Sequence, residues 1–414
     1  VELSEHLFRR ESGRMVAALT RVFGVHNLAL VEDVVQDAFC RALEVWKVRG
    51  IPDNPAAWLM ATAKNRALDL VRRERTARVL APDVGRMLES EHATAAGIDA
   101  AFAPPAIRDE QLRMMFSCCH PRLPEAAQVA LVLNILCGFG AGEIASALLD
   151  GRAAVEKRIS RGKKVLAGAR RLFDLADAEF AARLSGVRRA LYLLFSEGYH
   201  GASPEAAVRT ELCAEAMRLT SLLLEYPAAA VPETAALAAL MHLHAARLPA
   251  RLDAAGDLSP LVEQDRTRWD ARLVAAGLAL LERSAAGHEV TAYHLEAAIA
   301  AAHTSAASLA ETDWATIVGL YDRLMAIAPS PVVALNRAIA IGQRDGADRG
   351  IEALQAIADR ERLASYPFLP AALGELELGR GRREAAHGHF TAALALARNP
   401  TERRFLEKRV RACS

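Results

Sequence analysis

Between Leu30 and Val48 the chain repeats apolar residues at helical spacing. Val31, Val34, Val35, Ala38, Phe39, Ala42, Leu43 and Trp46 fall on one stripe, and Asp33, Gln36, Asp37, Arg41 and Glu44 lie opposite. A strand alternates its faces every second residue, so this pattern is written for a helix with one buried side. Composition extends the inference to the whole chain. Apolar types make up 52% of its 414 residues, Ala and Leu dominate them, and aromatic residues are only 5%. Ala and Leu favour helix, while the β-branched and aromatic residues that favour strands are sparse. The expectation is an all-α protein with more than one packed core.

Punctuation divides the chain into four stretches. The first, residues 1–78, holds the striped helix and a second helix opened by Asn54-Pro55, a capping residue followed by the residue best suited to the first helical position. Residues 79–108 lose helical periodicity around Pro82, Gly85, Gly97 and Pro104-Pro105 and predict a linker, with room for a short helix in its middle. In residues 109–173 an apolar helix, Glu125 to Leu136, is broken by Gly138, Gly140 and Gly142. A short helix over Glu143 to Leu149, a turn at Asp150-Gly151 and a helix from Ala153 to about Leu166 then follow, the outline of a helix-turn-helix. Residues 174–414 are again helical and carry a weak repeat. Ala338, Gly350, Leu354 and Ile357 reappear 36 positions later as Gly374, Ala386, Phe390 and Ala393, and 33 positions earlier as Ser305, Ile317, Tyr321 and Leu324. Small residues at such spacing let paired helices approach, as in a tetratricopeptide-like array with a period of about 34 residues.

A net charge of +1 predicts no partner by itself, but the charge is clustered. Lys64, Arg66, Arg72, Arg73, Arg75 and Arg78 oppose only Asp69 and Glu74. Arg152, Lys157, Arg158, Arg161, Lys163, Lys164, Arg170 and Arg171 oppose only Asp150 and Glu156. Two basic clusters on separate domains suit two sites on a phosphate backbone, although a solvated helix face is the ordinary reading of a charge run. Trp58 and Asn65 beside the first cluster suit stacking on, and hydrogen bonding to, unpaired bases; without further information Trp58 reads as core.

These runs resemble a known family. Val31-Glu32-Asp33-Val34-Val35-Gln36-Asp37-Ala38-Phe39, Asn54-Pro55-Ala56-Ala57-Trp58-Leu59, Ala63-Lys64-Asn65-Arg66 and Asp69-Leu70-Val71-Arg72-Arg73 resemble the first DNA-binding domain of RNA polymerase sigma factors of the extracytoplasmic-function class. Leu123-Pro124-Glu125, Glu143-Ile144-Ala145 and Arg158-Ile159-Ser160-Arg161-Gly162-Lys163 resemble the second. Phe116-Ser117-Cys118-Cys119-His120-Pro121, Phe195-Ser196-Glu197-Gly198-Tyr199, Asp265-Arg266-Thr267-Arg268-Trp269 and Pro329-Ser330-Pro331-Val332-Val333-Ala334-Leu335-Asn336-Arg337 resemble the subgroup with a long tetratricopeptide-like C-terminal extension.

The resemblance implies a fold of two small helical domains, the second a helix-turn-helix, joined by a linker and followed by the large extension. It implies that Asp33, Gln36 and Asp37 dock on core polymerase. Trp58 to Arg73, with Lys64, Asn65, Arg66, Asp69, Arg72 and neighbouring Arg75, would melt and read the downstream (−10) promoter element, Asn65 standing at the pocket for a flipped base. The helix with Arg152, Glu156, Lys157, Arg158, Ser160, Arg161, Lys163 and Lys164 would read the upstream (−35) element through the major groove. Two departures stand out: Glu156-Lys157 where many relatives carry small or uncharged residues, and Gly162 where Ala is usual. Glu156 suits either a cytosine amine or the balancing of Arg152 or Lys157, and Gly162 is expected to loosen its helix by up to about 1 kcal/mol.

The expected partners are core RNA polymerase and promoter DNA. The extension is expected to regulate activity, by contacting the DNA-binding domains or the polymerase near Ala176 to Ala182, or to bind a protein or peptide. No membrane partner is expected: the chain opens on the acidic Val1-Glu2-Leu3-Ser4-Glu5 and has no apolar run near the roughly 20 residues of a span. The six scattered cysteines, none in a C-x-x-C pair, point to a reducing, cytoplasmic setting. Neither a cofactor nor a metal is expected. Adjacent Cys118 and Cys119 diverge on a helix, as do His242 and His244, and no nucleophile triad or phosphate loop implies catalysis. Two other readings stay open: a helix-turn-helix regulator fused to a protein-binding scaffold, and an enzyme with its site in the extension, for which only Glu197-Gly198-Tyr199-His200 and Asp265-Arg266 speak; structural pairing between repeats is the preferred reading of both.

Overall fold

A computed structural model of the chain describes residues 5–80, 98, 100–102, 104–148, 150–169, 173, 179–200, 208–253 and 256–413. The expected all-α fold is observed: among the described residues there is no strand, and Leu252 and Leu258 form one isolated bridge. None of the described helices is long and apolar enough to cross a membrane. The chain forms two compact units, Val1–Leu194 and Phe195–Ser414.

The first unit contains α1 (Glu5–Phe23), α2 (Leu28–Arg49), α3 (Pro55–Leu80), α4 (Pro104–Cys118), α5 (Glu125–Ile135), α6 (Ala141–Leu148), α7 (Arg152–Ala167) and most of α8 (Phe180–His200). Helix α2 buries Val31, Val34, Val35, Ala38, Ala42 and Trp46. Leu43, expected on that stripe, is 54% exposed. Its turn-mates at helical spacing are Phe39 and Gln36, which places it at the edge of the stripe toward solvent. Helix α3 starts where Asn54-Pro55 predicts, with Asn54 Oδ1 accepting from the Ala57 amide at 3.0 Å. Helix α4 begins at Pro104, inside the segment read as a linker, and the short helix expected in that linker's middle falls largely outside the described residues. Helix α6 begins at Ala141, two residues before the expected start, because the Glu143 carboxylate reaches back to accept from the Gly140 amide at 2.9 Å.

Helix α1 packs on α2, α3 and α4 and also meets the end of α5. A Cβ on Gly13 would sit 2.1 Å from the Leu136 carbonyl oxygen, so only glycine permits this backbone-on-backbone approach. Arg9 pairs with Glu143 at 2.8 Å and stacks over Phe139, and Arg21 reaches buried Glu110 at 2.5 Å. The stretches that read as separate domains are therefore in contact. The Phe116 motif anchors the chain that follows the helix-turn-helix segment. Phe116 stacks on Phe173 and Phe180, Ser117 Oγ accepts from the Phe173 amide at 2.8 Å, and Arg183 donates to the Phe116 carbonyl. Cys118 and Cys119 are buried, and desolvation pushes the Cys118 thiol up to about 12. Part of Ala176 to Ala182, the expected junction, lies outside the described residues.

The second unit contains the end of α8, then α9 (Thr210–Glu225), α10 (Pro232–Ala245), α11 (Ala271–Ser284), α12 (Ala292–Ser305), α13 (Trp314–Ile327), α14 (Pro331–Asp345), α15 (Ala347–Gln355), α16 (Phe368–Gly379), α17 (Arg383–Ala395) and α18 (Pro400–Cys413). From α12 onward each helix packs on the next in chain order. The repeating positions occupy successive helix pairs. Ile317 and Leu324 on α13, Leu354 on α15, and Ala386, Phe390 and Ala393 on α17 are all buried. A Cβ on Gly350 would stand 2.8 Å from Gly342 Cα, and one on Gly374 would stand 2.7 Å from the Phe390 ring, so the small residues permit close helix crossings.

Candidate nucleic-acid interface

Helix α7 separates its residues by solvation. Val155, Ile159, Gly162 and Leu166, spaced by four, three and four positions, face the interior. Arg152, Glu156, Lys157, Ser160, Arg161 and Lys164 are exposed, and Arg158 and Lys163 are half-buried. Gly162 has a packing role: an added Cβ would lie 2.6 Å from Cδ1 and 2.9 Å from Cγ of fully buried Leu131 on α5. The missing side chain brings α7 onto α5, a packing role that stands beside the expected cost of glycine to the helix. The Asp150-Gly151 turn before α7 is held by its own side chain, as Asp150 Oδ1 accepts from the Gly151 amide at 2.7 Å. Arg158 donates to the other Asp150 oxygen, and this hydrogen bond holds the Asp150 carboxyl below its usual range. Glu156 accepts from Arg152 at 2.9 Å, one of the two uses its position allowed.

On α3, Leu59, Ala63 and Ala67 are fully buried, while Asn65, Asp69, Arg72 and Arg73 are exposed. Lys64 and Arg66 are half-buried, and the side chain of Arg75 lies outside the described residues. Trp58 is half-buried and meets Trp46 edge-on at 5.2 Å, and Phe8 also stacks on Trp46. Its ring thus serves the core on one side and retains an outward edge. Asp33, Gln36 and Asp37 are exposed on α2. Arg66 donates through Nε to Asp37 Oδ2 at 2.9 Å and brings Nη2 equally close, so a residue expected to contact polymerase is joined to one expected to contact DNA. Asp69 and Arg72 form a looser pair at 3.7 Å.

Helix α7 meets the first domain at a place that the sequence pattern does not mark. Lys163 of α7 pairs with Glu32 of α2 at 2.5 Å. Beside this pair a cleft of about 570 Å³ is lined by His26, Ala29, Asn134, Glu156, Ser160 and Lys164. No local signal could have singled out Glu32 or His26, because the contact joins residues 131 positions apart. The ion pairs here are mostly between accessible side chains and contribute only about 0–1 kcal/mol each, so they can be exchanged for phosphate or protein partners at little cost. Among the described residues, no group of three or more His, Cys, Asp or Glu converges as metal ligands would.

Residues 7–77 match the family model for Sigma-70 region 2. Residues 183–285 match a family of unknown function, DUF6596. The uncharacterized protein R00370 of Rhizobium meliloti (strain 1021) is 37% identical over 395 residues, covering 94% of this chain and 91% of its own. No solved structure matches the chain.

Proposed function

This chain belongs to the same family as that Rhizobium meliloti protein and carries a sigma-70 region 2 near its N-terminus, and from that premise we propose that it is a cytoplasmic, non-enzymatic sigma factor of the extracytoplasmic-function class. It recruits core RNA polymerase to promoters and starts transcription there. Asp33, Gln36 and Asp37 engage polymerase. Trp58, Lys64, Asn65, Arg66, Asp69, Arg72, Arg73 and Arg75 handle the −10 element. Arg152 to Lys164 enter the major groove at the −35 element. The observation that carries this reading is α7, which turns Arg152, Lys157, Arg161 and Lys164 to solvent over a buried apolar stripe. A helix held that way can present side chains to base edges without disturbing its own packing. An ordinary helix-turn-helix regulator would leave the region 2 match over residues 7–77 without a role.

The helix pairs after α11 form a tetratricopeptide-like extension that regulates this activity. In the compact first unit, Glu32 holds Lys163 and Asp37 holds Arg66. Binding to promoter and polymerase exchanges these pairs for external ones.

The test is transcription in vitro with purified core polymerase and the full chain. Promoter-selective initiation is expected; transcription no more selective than that of core polymerase alone would rule the reading out. Asp33→Arg with Asp37→Arg is expected to abolish co-purification with core polymerase while leaving the helical circular-dichroism signal intact, because both side chains are exposed. Retained co-purification would remove this face from the polymerase interface.

A further inference from the structure

The Glu197-Gly198-Tyr199-His200 and Asp265-Arg266 motifs are not absorbed by the function proposed above. Part of the first is structural: buried Glu197 accepts from Arg209 at 2.7 Å, and Gly198 permits the backbone of Cys213 to pass within van der Waals range. The rest converge on a cluster of cations in the second unit. Arg247 is 8% exposed and Trp269 9%, and Arg247 and Arg266 both lie over the Trp269 ring, at 5.6 and 4.9 Å. Arg251 lies over Tyr199 at 4.7 Å, and His244 meets the same ring at 4.9 Å.

These guanidinium groups have only neutral partners. Arg247 donates to the Gln264 side-chain carbonyl at 3.3 Å. Arg251 donates to the Tyr199 backbone carbonyl at 3.1 Å. Arg266 donates to the carbonyls of His303 and Ala306 and to the Thr312 hydroxyl. Glu311 is near enough to be felt by Arg266, but among the described residues no carboxylate lies within ion-pair distance of any of the three arginines. Several polar atoms in the cluster are buried without a partner: the Tyr199 hydroxyl, on a side chain only 5% exposed, the Trp269 indole nitrogen, Nε of Arg251, and Nδ1 of His244 and His303. Cation–π contacts recover only part of the cost of desolvating a guanidinium, and buried polar atoms are ordinarily satisfied. The cluster is therefore one anion short. It is also reachable, because His200 is exposed and Arg251, Arg266, His244 and His303 keep partial exposure.

We infer that the second unit binds a small oxyanion, a molecule bearing a phosphate or carboxylate group, at Arg247, Arg251 and Arg266 beside Tyr199 and Trp269. Planar guanidinium forks match such oxygens, and the aromatic faces add stacking surface for an organic remainder. The depth of Arg247 and Tyr199 favours a small ligand over an extended acidic chain. The imidazoles agree: desolvation, with Arg247 and Arg266 beside it, lowers His303 to about 4, and desolvation and Arg247 lower His244 as well, so a bound anion would restore their basicity.

The experiment is calorimetric titration of the full chain with inorganic phosphate, pyrophosphate and citrate, chloride being varied to hold ionic strength constant. Saturable binding of at least one probe is expected, with an upward shift of the melting temperature. Arg251→Gln is expected to weaken it about tenfold, the scale of removing one charge-assisted hydrogen bond. Arg349→Gln, at an exposed arginine paired with Glu352, should leave it unchanged. If Arg251→Gln alters the far-ultraviolet spectrum, Arg266→Gln replaces it. No saturable binding by any of the three probes, or equal affinity in the folded Arg251 and Arg266 variants, overturns the site. Preference for phosphate and pyrophosphate over citrate would assign the ligand as a phosphate bearer, and the reverse as a carboxylate bearer.

Discussion

Helix α7 and the arginine cluster of the second unit are both strongly cationic, yet they hold their charge in opposite ways. The α7 cations are mostly in water, and three of them, Arg152, Arg158 and Lys163, have a carboxylate beside them. Arg247 is buried, Arg251 and Arg266 are half-buried, and none of the three has one. Water solvates a surface cation whether or not a carboxylate is near, so the α7 pairs are optional and easily traded. Burial removes that solvent, and the deficit persists until something anionic arrives. Under the two proposals above, the same residue type serves a transient contact with a large polyanion in one region and a niche for a small one in the other.

The largest expected effect tests the cost of disturbing buried charge. Glu197→Ala removes the buried carboxylate to which largely buried Arg209, 11% exposed, donates and should destabilise the second unit by about 3–5 kcal/mol, read from urea unfolding. A loss near that of a surface pair would erase the contrast. Next, Arg158→Ala with Arg161→Ala should weaken promoter binding by the holoenzyme by roughly 1–3 kcal/mol for each arginine that hydrogen-bonds a base edge, with core-polymerase binding retained. If these arginines touch phosphate instead, the salt slope falls and sequence preference stays. Wild-type promoter affinity would remove α7 from the DNA interface.

Acidification should separate the regions further. His244 and His303 have folded-state values below the ordinary 6.5, so the unfolded chain takes up protons first. Their contribution to stability is complete above about pH 6.5 and is lost as the pH falls toward about 4. The urea midpoint of the second unit should drop between pH 7.5 and pH 5, and less so in saturating phosphate. The smallest effect belongs to α7: Glu156→Ala, which breaks an exposed pair with Arg152, should change stability by less than about 0.5 kcal/mol. A larger loss would show that the pair carries more than surface charge.

Separating the two regions by truncation has to respect the packing around Phe116. A cut after Phe173 would strip Phe180 and Arg183 from Phe116, against which they pack. A truncation that leaves the first unit whole belongs beyond Leu194.

Much of the first unit was legible in the sequence because its signals are local. The apolar period of α2, the Asn54-Pro55 start of α3 and the alternation of buried and exposed residues along α7 each depend on neighbours within a turn or two of helix. So do the exposed positions of Asp33, Gln36, Asp37, Asn65 and Arg161, since a side chain's direction on a helix follows from its register. Leu43 marks the limit of that reasoning, because the width of a buried stripe depends on how much of the helix its neighbours cover.

What the tertiary structure alone decided is long-range. Glu32 meets Lys163 and Arg66 meets Asp37 across helices whose approach no local pattern records. Gly162 reads as a weak point in a helix until Leu131 is seen to occupy the space its side chain would need. Arg247 and Arg251 carry no local signal, and Arg266 reads with Asp265 as a structural pair between repeats, since the sequence states their charge and says nothing of their solvent. Charge is a property of the residue, fixed when the chain is written. Desolvation is a property of everything packed around it, and only the folded chain sets whether that charge is free, traded or waiting for a partner.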